Sequence, residues 1–120
     1  MRPVARAFLL AATVAAAAAT AFAAPAGAAA GQRPPATHSV DIVDFRFVPE
    51  RLDVRPGDTV VWRNRDLVAH TASADDGSWD TGIIGAHESV ALVVDEGFTA
   101  AYACLFHPMM KARLERADAR

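Results

Sequence analysis

A thiol, an imidazole and a thioether stand three residues apart near the C-terminal end of the chain. They are Cys104, His107 and Met110, in the run Cys104-Leu105-Phe106-His107-Pro108-Met109-Met110. Each is a soft or borderline donor for a transition metal. Cys104 is the single cysteine, and a second imidazole, His70, lies upstream in Trp62-Arg63-Asn64-Arg65-Asp66-Leu67-Val68-Ala69-His70-Thr71. Two histidines, a thiolate and a weak thioether are the donor set of a mononuclear copper site that carries electrons. Thiolate and imidazole suit both oxidation states of copper, and a distant thioether adds a weak contact. Residues three apart in a tight loop turn back on one centre, and Pro108 holds His107 toward extended geometry. His70 must arrive from another strand end, so the site closes only when the domain folds.

Other chemistries could use the same residues. A free cysteine is often a small buried apolar residue, and a cysteine beside a histidine is sometimes a nucleophile. Cys104 has no helix start or strained elbow with oxyanion donors around it, so the chain is not expected to be an enzyme. Zinc also takes thiolate and imidazole, but a structural zinc normally has four strong donors, and this set offers three and a thioether. His38, ahead of the first expected strand, and His87, in Gly85-Ala86-His87-Glu88, read as solvent-facing. Arg63 and Arg65 read as a solvated strand end rather than a docking patch.

The chain that must position these donors has 120 residues, enough for one domain. Its start does not belong to that domain. Arg2 and Arg6 precede an apolar run from Ala7 to about Phe22, followed by small residues at Ala21-Phe22-Ala23 or Ala28-Ala29-Ala30. This is the pattern of a secretory signal peptide over residues 1–23. The run is about 16 residues of mostly alanine, short of the roughly 20 needed to span a bilayer, so no membrane span is expected after cleavage. Residues 1–23 hold two of the twelve basic residues and none of the fourteen acidic ones, leaving a net charge of about −4 (10 − 14). That balance gives no support to nucleic-acid binding. An exported protein with one cysteine has no internal disulfide, and a bare thiol outside the cytoplasm tends to oxidise. Coordination to a metal would protect it.

Residues 24–37 are mostly Ala, Gly and Pro and read as a flexible tether. From His38 to Arg120 the texture changes to short alternating runs: Val40 and Ile42 with Phe45, then Leu52 and Val54, Thr59 to Trp62, Val90 to Val94, and Thr99 to Ala103. Turn signals separate them at Val48-Pro49-Glu50, Arg55-Pro56-Gly57-Asp58, Asp75-Asp76-Gly77-Ser78 and Asp95-Glu96-Gly97. Only the charged C-terminus carries a weak helical period. This pattern predicts an all-β domain, a small Greek-key β-sandwich. Trp62, Phe45, Phe47, Trp79, Phe98 and Tyr102 are expected to supply much of its core.

The quoted segments also resemble those of the cupredoxins, the small blue-copper proteins, and most nearly the amicyanin and plastocyanin group. The resemblance runs from about His38 to Leu114. It rests on Asp44-Phe45-Arg46-Phe47-Val48-Pro49, on Val54 through Asp66 leading to His70-Thr71, on Ser78-Trp79-Asp80-Thr81-Gly82, on Asp95-Glu96, and on Tyr102-Ala103-Cys104. The Cys-x-x-His-Pro-x-Met loop is similar to the short ligand loop of amicyanins. The resemblance implies His70, Cys104 and His107 as strong copper ligands, with Met110 rather than Met109 as the weak axial one. It implies a Thr71 N–H on the thiolate and an Asn64 that orders the approach to His70. The chain departs from the family at Gly97-Phe98-Thr99-Ala100, at Ala112 where glycine is common, and in a brief last strand.

The implied function is an exported type 1 copper protein, periplasmic or extracellular, that carries one electron at a time. It would be a monomer that meets a redox donor and an acceptor transiently. Electrons would pass through the edge of His107, ringed by Leu105, Phe106, Pro108 and Met109. The rival reading is a protein that stores or delivers copper without electron-transfer turnover.

Overall fold

The computed structural model describes residues 13, 15–20 and 33–117. The chain divides into two units, Met1–Ala30 and Gly31–Arg120. In the first unit the described residues have no regular secondary structure. Most of the expected signal peptide and residues 24–32 of the expected tether lie outside the described residues. No helix among the described residues is long and apolar enough to cross a membrane.

The second unit is built from eight strands: β1 (Thr37–Val43), β2 (Arg46–Val48), β3 (Arg51–Val54), β4 (Thr59–Asn64), β5 (Ser73–Ala74), β6 (Ser89–Val93), β7 (Ala101–Ala103) and β8 (Lys111–Arg116). They form two four-stranded sheets, ordered β2-β1-β4-β6 and β3-β8-β7-β5. The β1–β4 and β3–β8 pairs are parallel and the other pairs antiparallel. From β2 to β7 the chain changes sheet at every step, the Greek-key connectivity of a β-sandwich.

Period-two alternation explains the faces. Val40 and Ile42 on β1, Val60, Trp62 and Asn64 on β4, and Ala112 and Leu114 on β8 point inward, while residues between them are exposed or half-buried. Trp62 Nε1 donates to Tyr102 Oη at 3.3 Å across the two sheets, and Phe47 and Trp79 pack on the same tyrosine at 4.8 and 5.3 Å between ring centroids. Burial pushes the Tyr102 hydroxyl up to about 12 against the lowering effect of that bond. Ala112 places its methyl in this core opposite Tyr102, so the alanine found in place of glycine is accommodated.

Several expectations need correction. Phe45 is not a strand or core residue. It shares the two-residue turn between β1 and β2 with Asp44, both at positive φ (57° and 50°), and it is half-exposed. His38 lies within β1, not ahead of it. The charged C-terminus is not helical but forms β8, six residues long. The two-residue β5 was not anticipated.

Candidate metal centre

The seven residues from Cys104 to Met110 connect β7 to β8. Ala103 pairs with Lys111, so the loop must close immediately. Two backbone bonds do this, Cys104 N–H to Met110 O at 3.1 Å and Met110 N–H to His107 O at 2.8 Å. The tight closure turns Cys104 and Met110 inward, at 1% and 5% exposure, and leaves Met109 at 90%. Adjacent methionines are thereby separated, Met110 buried with the core and Met109 on the surface.

His70 comes from the segment between β4 and β5. Buried Asn64, at the end of β4, holds that segment: its Nδ2 donates to the carbonyls of Val68, Ile84 and Gly85, and its Oδ1 accepts from Asp66 N–H. His70 then makes an isolated bridge with Ile84, its N–H donating at 3.1 Å and its carbonyl accepting at 2.7 Å. The imidazole has no exposed surface.

The two segments bring three donors together. Cys104 Sγ lies 3.7 Å from His70 Nδ1 and 3.6 Å from His107 Nδ1, and one ligand atom from each residue falls within 4.8 Å of the others. Thr71 donates its N–H to the sulfur at 3.3 Å, and its hydroxyl accepts from Leu105 N–H at 2.9 Å. The second bond ties the two ligand-bearing segments directly. Of the remaining histidines, His38 bonds Asp58 and His87 sits at positive φ in an exposed turn, so neither joins this group.

A buried thiol flanked by two ring nitrogens, with a backbone N–H aimed at the sulfur, is laid out as a donor to a metal. The donor set fits a copper ion: borderline nitrogen and soft sulfur, mostly buried, with a hydrogen bond supporting the thiolate.

Two further residues reach the site, and sequence reasoning gave neither a role there. Asp66 accepts from Asp44 N–H at 2.8 Å, from Phe45 N–H at 3.0 Å and from His70 Nε2 at 2.8 Å. Burial pushes its carboxyl up, but the bonds from Phe45, His70 and Asp44 outweigh this and hold it below the ordinary carboxylate value. Phe45, placed by that turn, sets its ring edge-on to both imidazoles, at 5.3 Å from His70 and 4.9 Å from His107. Asp66 stands four residues before His70, the only sequence cue that could have suggested the contact.

No protein-family model matches the chain, and no curated protein does. Solved structures do. A point mutant of amicyanin in its Cu(I) form is 26% identical over 68% of this chain and 82% of its own, with a TM-score of 0.61. An oxidised point mutant of amicyanin is 25% identical over 77% and 88%, with a TM-score of 0.61, and a reduced one is 27% identical over 68% and 82%, with a TM-score of 0.58.

The chain has the cupredoxin fold.

Within this fold Cys104 directly follows β7 and Met110 directly precedes β8, whereas His107 stands in the middle of their loop and His70 in the β4–β5 connection. Around half-buried His107 the chain exposes Leu105, Phe106, Pro108 and Met109. Leu67, Val68 and Ile83, close in sequence to the His70–Ile84 bridge, are also exposed, and they were not singled out from sequence.

Proposed function

We propose that the protein is a one-electron carrier, with copper held by His70 Nδ1, Cys104 Sγ and His107 Nδ1 and with Met110 as a weak fourth contact. One observation carries this reading: a thiol with two imidazole nitrogens 3.7 and 3.6 Å away and a backbone N–H on its sulfur, already assembled by the fold. When bound, copper would supply a centre that gains and loses one electron. The chain's part is to hold the donors nearly fixed, so that little has to move when the charge changes. Asn64, the His70–Ile84 bridge and the Thr71–Leu105 bond do this from three directions.

Half-buried His107, framed by apolar side chains, is the point where electrons would enter and leave. A small apolar rim suits the brief contacts of redox encounters, whose interfaces are at the small end of the range. The partners would be larger redox proteins, met by a monomer outside the cytoplasm after removal of residues 1–23, with 38–120 as the working domain. Full burial of His70 and Cys104 favours a carrier over a delivery protein, which needs donors that exchange readily.

The test is spectroscopic. Protein loaded with Cu(II) should turn intensely blue and undergo reversible one-electron reduction, and Cys104→Ser should abolish the colour. A colourless copper complex, or colour that survives Cys104→Ser, ends the carrier reading. Rapid loss of copper to a chelator would favour delivery instead.

A further inference from the structure

The carboxylate of Asp66 has more to do than close a turn. It is 11% exposed, and it touches a histidine ring with no exposed surface. Among the described residues its sole ion-pairing partner is His70, since nearby Arg65 pairs with Asp41 at 3.1 Å. A carboxylate oxygen only accepts, so at 2.8 Å the neutral His70 ring carries its proton on Nε2. Nδ1 then keeps its lone pair on the side facing Cys104 Sγ. The same two oxygens hold the Asp44 and Phe45 N–H groups, so the carboxylate cannot swing away without undoing the turn.

We propose that Asp66 is a positioning residue of the metal centre, fixing the tautomer and ring orientation of His70 and biasing the centre toward its oxidised state. The proposal rests on the copper reading above. A carboxylate bonded to a ligand imidazole makes that ligand more basic, and losing such a partner typically changes metal affinity about 10- to 100-fold. A negative charge in a poorly solvated place favours the ion of higher charge. Both effects act in one direction and lower the reduction potential.

The experiment compares copper-loaded wild type with Asp66→Asn by redox titration. Asp58→Asn is the charge-matched control: Asp58 precedes β4 and lies roughly 20 Å away by strand length. Asp66→Asn should weaken the preference for Cu(II) over Cu(I) roughly tenfold, a rise of about 59 mV for one electron. Asp58→Asn should leave it unchanged. No shift in Asp66→Asn, or equal shifts in both variants, overturns the proposal. If Asp66→Asn fails to fold, the comparison moves into an Asp44→Asn/Phe45→Gly background. That turn sequence takes positive φ readily and does not need the carboxylate, and the same shift is expected there.

A second readout needs no metal. Nitrogen NMR of the copper-free full-length chain should find the His70 proton on Nε2 and slow to exchange in wild type. In Asp66→Asn that proton should exchange fast or move to Nδ1. Identical ring signals in the two proteins overturn the proposal. If copper gives no blue colour, the carrier reading fails while this comparison still decides the Asp66–His70 pairing.

Discussion

Asp58 and Asp66 stand at opposite ends of β4 and gather nearly the same donors. Each carboxylate accepts two backbone N–H groups and a histidine Nε2 at 2.8 Å: Ala36, Arg55 and His38 for Asp58, and Asp44, Phe45 and His70 for Asp66. What differs lies behind the histidine. His38 sits on a partly exposed strand, and Arg33 joins Asp58 at 3.2 Å to balance the charge. Asp58 therefore fastens β1 and the segment before it to the turn that leads into β4, a structural clasp. His70 has no exposed surface, no arginine balances Asp66 among the described residues, and the far side of the ring faces a thiol. The same knot is structural at one end and chemical at the other because of what the imidazole touches next.

The strongest challenge to this contrast is Asn64→Ala. Asn64 ends β4 on the ligand side, and its amide is the donor for three carbonyls while its oxygen holds Asp66 N–H. Leaving buried carbonyls unpaired costs about 1–3 kcal/mol each, and partial relaxation reduces the sum. A loss of about 3–4 kcal/mol in chemical unfolding is expected, with a broadened or weakened copper spectrum. A stability loss with an untouched spectrum would mean that the loop reaches His70 geometry without Asn64.

Asp58→Asn comes next. An amide in place of the carboxylate turns an N–H toward the side where Arg33, His38 and Arg55 N–H already donate. About 2–3 kcal/mol should be lost, since hydrogen bonds to charged groups contribute about 1.5–3 kcal/mol each and some are retained. The copper spectrum should not change. Burial pushes the Asp58 carboxyl up, but the bonds from Ala36 N–H, His38 and Arg55 N–H and the Arg33 charge hold it well below the ordinary carboxylate range. A folded-state value below the unfolded one means that its contribution is complete above roughly pH 4 and fades as pH falls further. The stability gap between wild type and Asp58→Asn, followed by urea unfolding, should therefore shrink between about pH 4 and pH 2. A gap that widened on acidification would reverse the sign and refute the clasp.

The contrast also marks what the sequence could and could not say. Alternation at Val40 and Ile42, at Val60 and Trp62, and from Val90 onward announced strands because one face of each is buried. Cys104, His107 and Met110 announced themselves because few chemistries need those types so close. Asp66 did not, because a carboxylate among charged loop residues has no period or motif, and its role depends on a turn more than twenty positions upstream. Phe45 misled for a related reason. An aromatic soon after Val40 and Ile42 reads as a continuation of their apolar run, although it falls out of their period, and the register Val43↔Arg46 makes it half of a two-residue turn. Such turns announce themselves through Asn-Gly or Asp-Gly, and here Asp-Phe is forced into the shape by Asp66. β5, with two residues, is too short to show any period.

Phe45→Gly is expected to have the smallest effect on stability and separates the two roles of the turn. Holding a non-glycine residue at positive φ costs about 1–2 kcal/mol, which glycine would relieve. Against this, the ring's edge contacts with His70 and His107 contribute about 0.5–1.5 kcal/mol per pair, and its half-exposed position adds little burial. The two nearly cancel, so thermal unfolding should move by less than about 1 kcal/mol in either direction. The backbone N–H at this position still reaches Asp66, so the His70 bond should persist and the reduction potential should change far less than in Asp66→Asn. What should change is access: with the ring gone from beside both imidazoles, copper should pass to a chelator faster. A drop of about 3 kcal/mol would instead place Phe45 among the core residues. An unchanged release rate would mean that burial of the ligands by the sandwich, not the ring over them, guards the site.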